Sequence, residues 1–277
     1  LLFCDLPDGG RVYFTREDGV CCTWDADFRP ILRVPALSKG HRASLNVFEA
    51  QTVPGPEYQG TTLALTAEQQ YRANLFLSNF SEQSFCGGMV SGQFDVATAG
   101  VAELFDFAHL WAKINRRSAI GYEGAWETMT LEDYRAIVGR YFDLAEIPAP
   151  GEGEDLTAAL GLSDFEWSRS WFENGRFYYP AADGESRNSF TVVDAAAKFP
   201  DNRWTFRFTV YELDLDIYWD ENGIPDAYYR MTPEEAGARV AAGELTVRYS
   251  GTAYCQPCTL EPGGRSSYQL IRYRLDP

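Results

Sequence analysis

Alternating apolar and polar positions over "GRVYFTREDGVCCTWDADFRPILRV", residues 10–34, predict three short strands, broken at Glu17-Asp18-Gly19 and at Asp25-Ala26-Asp27. A Pro- and Gly-punctuated stretch ending in "TVPGPEYQGTT" reads as an extended connector. From residue 66 the period lengthens to that of a helix. Thr66 and Gln69 form a capping box, and Tyr71, Leu75 and Ser78 make one stripe beside Ala73, Leu77 and Phe80. A second helix is predicted from near Asp95 to about Asn115, with Val101, Leu104, Phe105, Ala108, Trp111 and Ile114 at three- and four-residue steps. Lys113, Arg116 and Arg117 fall at its C-terminal end, where cations complement the helix dipole. A third helix starts at Thr130 and Asp133 and presents Tyr134, Ile137, Val138, Tyr141 and Phe142.

"EIPAPGEGEDL", residues 146–156, ends the helical pattern, and beyond it the period becomes two. "GRFYYPA", "NSFTVVDAAAKF", "RWTFRFTVYELDLDIYW", "ELTVRYSGTAYC" and "SSYQLIRYRLD" predict five antiparallel strands, with Trp204, Phe206, Phe208 and Val210 on one face. A short helix at "TPEEAGARVAAG" is capped by Thr232 and Glu235 with Pro233 at its first position. Helices followed by strands predict an α+β fold in which helices pack on a curved antiparallel sheet, as in cystatin- or NTF2-like cones. The expected organisation is a small N-terminal β region and connector over 1–60, then an α+β domain over 61–277, with helices at 66–143 and sheet at 165–275.

A net charge of −16 repels phosphate backbones and argues against nucleic acid as a partner. The longest apolar run, "VAELFDFAHLWA", is interrupted by Glu103 and Asp106, so no membrane span is expected. With Leu at position 1, a removed signal peptide or lipoprotein anchor is the expectation, and an arbitrary boundary would explain it equally well. The 7 Trp, 16 Tyr and 18 Phe suit a β-rich core, or rings exposed for stacking on sugar or peptide. The cysteines Cys4, Cys21, Cys22, Cys86, Cys255 and Cys258 permit disulfides, free thiols, or a zinc site from Cys4, Cys21 (or Cys22), Cys255 and Cys258. No other cofactor is expected.

Catalytic signals are sparse. His41 lies in a polar loop, and His109 reads as a helix-packed histidine with one ring nitrogen satisfied. The chain has no G-x-S-x-G, H-E-x-x-H or Walker-type motif. "CGGMVSG" at 86–92 reads as an interhelical loop. "DENGIPD" at 220–226 reads as a turn in which Asp220 and Asp226 leave weak cation binding open. "CQPC" at 255–258 is placed between two strands, without the helix that lowers a redox thiol's pKa, so a structural disulfide or zinc knuckle is expected over an oxidoreductase. Paired carboxylates in an aromatic cleft keep a carbohydrate-active hydrolase as the alternative.

"YRANLFLSNFSEQSF", residues 71–85, ends in Asn79, Ser81 and Glu82, which read as a helix terminus that pins the fold. That stretch, with "LFDFAHLWAKINRRSAIGYEG" and "MTLEDYRAIVGRYFDL", resembles a family of uncharacterised extracellular and lipoprotein-type domains of Gram-positive bacteria. It is more distantly similar to bacterial inhibitors of cell-wall DL-endopeptidases. The resemblance covers about residues 66–145, implies an envelope location, and brings no catalytic residues. The expected function is therefore a non-enzymatic secreted or envelope protein that binds a protein or cell-wall partner. Inhibition of wall hydrolases is its narrower form, with loops 86–94 or 220–231 as contacts.

Overall fold

The computed structural model describes residues 2–5, 11–17, 20–24, 30–35, 61–82, 93–162, 165–181, 189–213, 224–259 and 266–276. The chain divides into two compact units, Leu1–Gln59 and Gly60–Pro277. The first holds β1 (Leu2–Asp5), β2 (Arg11–Glu17), β3 (Val20–Trp24) and β4 (Pro30–Pro35), an antiparallel meander in sequence order. The three predicted strands are β2, β3 and β4; β1 is an additional edge strand pairing with β2.

The second unit is α+β. It begins with β5 (Thr61–Leu63) and α1 (Ala67–Ser81), whose start is the predicted capping box: Thr66 Oγ1 accepts from Gln69 N–H at 3.2 Å, and Gln69 Oε1 from Thr66 N–H at 2.9 Å. Then follow β6 (Gln93–Asp95) and α2 (Val101–Asn115). The second helix therefore starts six residues later than expected. Residues 93–95 pair with the last strand instead, and Asp95 caps the next turn by accepting from Ala97 N–H at 3.0 Å. Next come β7 (Gly121–Glu123), β8 (Trp126–Thr130) and α3 (Leu131–Tyr141), capped by Thr130. After them run β9 (Trp171–Glu173), β10 (Arg176–Pro180), β11 (Ser189–Lys198) and β12 (Trp204–Leu213). The single turn α4 (Asp226–Tyr229), α5 (Pro233–Ala241), β13 (Leu245–Thr259) and β14 (Ser266–Leu275) complete the unit.

These strands form two sheets, not one. Six run in the order β5-β11-β12-β13-β14-β6, and four in the order β7-β8-β10-β9. "GRFYYPA" supplies β10 of the small sheet, because its partners are the hairpin strand β8 and the short β9. The main core joins Leu77 and Phe80 of α1, Leu104 and Phe107 of α2, and Phe206 and Phe208 of the large sheet. On the opposite sheet face, Phe190, Val192, Tyr211 and Leu213 pack against Met231 and Ala236 beside α5.

A polar row on α1 fixes how helix and sheet meet. Over its first half, β11 has β12 on one side and, among the described residues, no strand on the other, since β5 pairs only with Ala196–Lys198. There Ser78 Oγ accepts from Thr191 N–H at 2.9 Å, Asn74 Oδ1 accepts from Val193 N–H at 2.8 Å, and Gln70 Nε2 donates to the Val193 carbonyl at 2.8 Å. The spacing is geometric: four helical residues rise about 6 Å and two strand residues about 6.6 Å, so an i, i+4 row keeps step with alternate strand residues. Thr191 Oγ1 donates to Ser81 Oγ at 2.9 Å, extending the row by another turn.

The remaining polar groups of "NLFLSNFSE" reach other elements. Asn74 Nδ2 donates to the Tyr229 and Met231 carbonyls at 2.9 and 3.0 Å. Asn79 Oδ1 accepts from Trp111 Nε1 at 2.7 Å and from the Tyr141 hydroxyl at 3.3 Å. Glu82 Oε1 accepts from the Tyr229 hydroxyl at 2.6 Å. The stretch pins the fold as expected, but through tertiary bonds as well as local ones. Asn74→Ala is expected to lower the unfolding free energy by roughly 3–5 kcal/mol, since it orphans one buried N–H and two carbonyls. Equilibrium urea unfolding measures this; a loss below about 1 kcal/mol would contradict the role given to Asn74.

Candidate functional site

The small sheet has two faces of opposite chemistry. On the inner face, Glu127 of β8 meets His109 and Lys113 of α2, which with Phe105 stand four residues apart and so share one side of the helix. His109 Nε2 donates to Glu127 Oε2 at 2.8 Å, and Lys113 Nζ pairs with Glu127 Oε1 at 3.0 Å. The imidazole packs against Tyr179, centroid to centroid 4.3 Å, while Phe105 stacks on Phe177 at 4.3 Å.

This network is buried: the His109 and Glu127 side chains are 1 % and 2 % exposed. Burial lowers the His109 pKa more than its bond to Glu127 raises it, so the ring is neutral with its proton on Nε2. Burial alone would raise the Glu127 carboxyl, but the hydrogen bonds from His109 and Lys113, with their charges, outweigh it and hold the group below its ordinary range. His109 Nδ1 has no hydrogen-bond partner among the described residues. A histidine–carboxylate pair can orient a general base, but here no hydroxyl or thiol bonds the free nitrogen and the pair is sealed from solvent. The arrangement is a buried ion pair that ties α2 to the small sheet.

The outer face is aromatic. Trp171 and Tyr178 lie directly across from each other in register and stack at 4.6 Å with an interplanar angle of 1°. Trp126 meets Trp171 edge-on at 5.3 Å, and its Nε1 donates to the Arg169 carbonyl at 3.3 Å. That bond holds the segment around the 3-10 turn Glu166–Ser168 beside the sheet. On this segment Phe165 and Trp167 stack nearly parallel at 5.4 Å while remaining 61 % and 69 % exposed. Two carboxylates border the rings: Glu123 accepts from the Tyr178 hydroxyl at 3.1 Å, and Glu173 from Trp171 Nε1 at 3.4 Å. Burial raises the Tyr178 phenol, and the bond to Glu123 and the Glu123 charge raise it further.

The sites read from sequence fall elsewhere. "CQPC" lies inside β13 rather than between strands, and Cys255 is a free thiol. Residues three apart on a strand point to opposite faces with Cα atoms roughly 10 Å apart, so Cys255 and Cys258 neither bridge each other nor converge on one ion. Cys255 is buried in the main core, and desolvation pushes its thiol well above the ordinary range. Cys4 and Cys21 lie in the first unit, on β1 and β3, which flank β2. Among the described residues no three His, Cys, Asp or Glu side chains form a metal-binding group. Asp226 accepts from the Tyr71 hydroxyl at 2.7 Å and from Arg230 Nε at 2.6 Å, while Asp220 is outside the described residues. So are His41, Cys86, the Gly-rich loop 86–92, and 220–223 of the second proposed contact loop. Among the described residues no helix is long and apolar enough to cross a membrane.

The pH response of the inner face has a definite sign. His109 binds a proton less readily folded than unfolded, so its contribution is complete above the ordinary histidine pKa of about 6.5 and is lost as pH falls below it. Glu127 acts in the same direction below about pH 4.5. Unfolding free energies measured by urea titration are expected to fall between about pH 6.5 and 5, by up to ~1.4 kcal/mol per pH unit. His109→Gln, which keeps a donor to Glu127 but does not titrate, should flatten that interval; an unchanged slope would show that another group carries it.

No family model, no curated protein and no solved structure matches the chain, so a functional reading rests on this geometry.

Proposed function

We propose that this chain is a non-enzymatic secreted or cell-envelope protein that binds a protein or cell-wall partner through the outer aromatic face of its small sheet. Inhibition of a wall hydrolase is the narrower form of this reading. The observation that carries it is the Phe165–Trp167 stack, two large rings held parallel in solvent beside Trp126 and Trp171. Large apolar rings left outside a core that could bury them are a mark of interaction surfaces, where Trp and Tyr dominate binding energy. The envelope location draws its support from the resemblance of residues 66–145 and from the acidic composition. We further infer that the large sheet curves around α1 as a cystatin- or NTF2-like cone. Register shifts at Val193/Ala195, Val210/Tyr211 and Tyr254/Cys255 support this, since bulges bend a sheet.

A second reading, a carbohydrate-active hydrolase, has one observation in its favour: two carboxylates, Glu123 and Glu173, border the stacked Trp171 and Tyr178. One experiment separates the two. The protein is incubated with purified Gram-positive cell walls, either stripped of protein or retaining it, and both sedimentation and release of soluble fragments are followed. Co-sedimentation without release is expected. Phe165→Ser/Trp167→Ser should weaken it about tenfold or more, with unfolding unchanged because both rings are exposed. Fragment release abolished by Glu123→Gln or Glu173→Gln would establish the hydrolase. No sedimentation with either wall preparation would overturn the binding reading.

A further inference from the structure

The aromatic face is bordered by acid along its edges. Glu123 stands on β7 and Glu173 on β9, the two edge strands of the small sheet. The connector around residues 152–156 runs along the outside of β9. Phe172 N–H donates to the Glu154 carbonyl at 3.0 Å and Leu156 N–H to the Ser170 carbonyl at 2.9 Å, which brings Glu152, Glu154 and Asp155 to that edge. Glu166 comes from the 3-10 turn. Near these six carboxylates, among the described residues, stand the guanidinium groups of Arg169 and Arg176. Arg169 is engaged by Asp155 at 2.9 Å. Arg176 lies across from Glu173 in register. Among the described residues, neither Glu123 nor Glu173 forms an ion pair, and the hydrogen bond each accepts comes from an aromatic side chain.

Resting on the reading of this face as a binding surface, we propose that its occupant is a cationic segment of a protein partner, an extended stretch with two Arg or Lys side chains. One head group meets Glu123 and the other Glu173, while the side-chain stems lie over Trp171 and Trp126. Three considerations favour this occupant. Aromatic faces attract cations, Arg above all. Glu123 and Glu173 form no ion pair among the described residues, so a cationic ligand gains from them what a neutral one does not. The chain's charge of −16 steers basic partners toward it and repels anionic wall polymers. A neutral glycan would stack on the same rings but gains nothing from the acid excess. The span sets the spacing: three strand separations of about 4.8 Å across the sheet, with a four-residue offset along it, since Glu123 lies level with Pro180 and Glu173 with Arg176, make roughly 20 Å between backbones, the length of six extended residues at about 3.3 Å each.

The test is isothermal titration of the full chain with three probes. These are a capped Gly-Ser peptide carrying two arginines six residues apart, its citrulline analogue, and a soluble N-acetylglucosamine hexasaccharide. The arginine peptide is expected to bind and the citrulline peptide to bind at least about tenfold more weakly. Glu123→Gln/Glu173→Gln keeps both hydrogen-bond acceptors and should cost about tenfold or more, as should raising the salt from about 0.05 M to about 0.3 M. Glu234→Gln, which removes one charge from the exposed surface of α5, should change little. Equal binding by the double Gln variant would overturn the proposal. Hexasaccharide binding without peptide binding would also overturn it and leave the face as a binding surface, whereas silence from all three probes would remove both.

Discussion

A helix takes the place of a strand at the edge of β11, and much of the second unit is organised by that substitution. The Thr191 and Val193 amides point away from β12 into a buried region, where an unpaired N–H would cost as much as a lost hydrogen bond or more. Gln70, Asn74 and Ser78 meet them in a row that fits one direction and one register only. With that row fixed, Leu77 and Phe80 of α1 are committed to the main core. Asn79 then binds Trp111 and Tyr141, so α2 and α3 are positioned from α1, and α3 also from β14, where Gln269 Nε2 donates to the Gly139 carbonyl at 2.6 Å. The same row closes an edge that would otherwise offer itself to another strand.

Much of this architecture is legible in the sequence wherever the determining interaction is local. The capping boxes at Thr66 and Thr232 involve residues three apart, and both form as read. The face of β12 bearing Phe206, Phe208 and Val210 is likewise legible, because alternation within one strand reports its buried side. What failed depended on partners distant in sequence. Asp95 reads as a helix start, but residues 93–95 are claimed by β14 some 177 residues away. "GRFYYPA" shows that it is a strand without showing which sheet it joins. The two outer strands of that sheet, β7 and β9, are three residues each, too short for alternation to register. The cysteine pair misled for a related reason: a strand runs straight through "CQPC" and turns the two thiols to opposite sides.

The candidate surface was hidden by a different ambiguity. Composition counts rings without saying which are covered, and a core reading accounts for most of them correctly. Among the described residues the exposed exceptions are Tyr122, Phe165 and Trp167, and nothing local marks them off from the buried Phe172, Phe177 and Tyr178. His109 and Lys113 were visible as single residues, one as a packed histidine and the other as a helix-end cation. Their four-residue spacing, with Phe105 one turn earlier, was the signal that they share a face. Nothing local could supply Glu127, which comes from the hairpin strand β8.

The two faces of the small sheet explain each other physically. On the inside, one carboxylate is removed from solvent and compensated by two donors, which makes the sheet a rigid extension of α2. A buried pair of this kind contributes little net stability compared with an apolar replacement, but it penalises any other placement of the sheet, because shifting it would leave Glu127 unpaired in the interior. On the outside, Glu123 and Glu173 are left in solvent next to the stacked rings, with no ion pair among the described residues and without burial. The internal carboxylate is matched to its donors; these two are matched only to aromatic ones. That asymmetry, on two sides of a sheet only four strands wide, is why we assign the structural role to the inner face and the recognition role to the outer one.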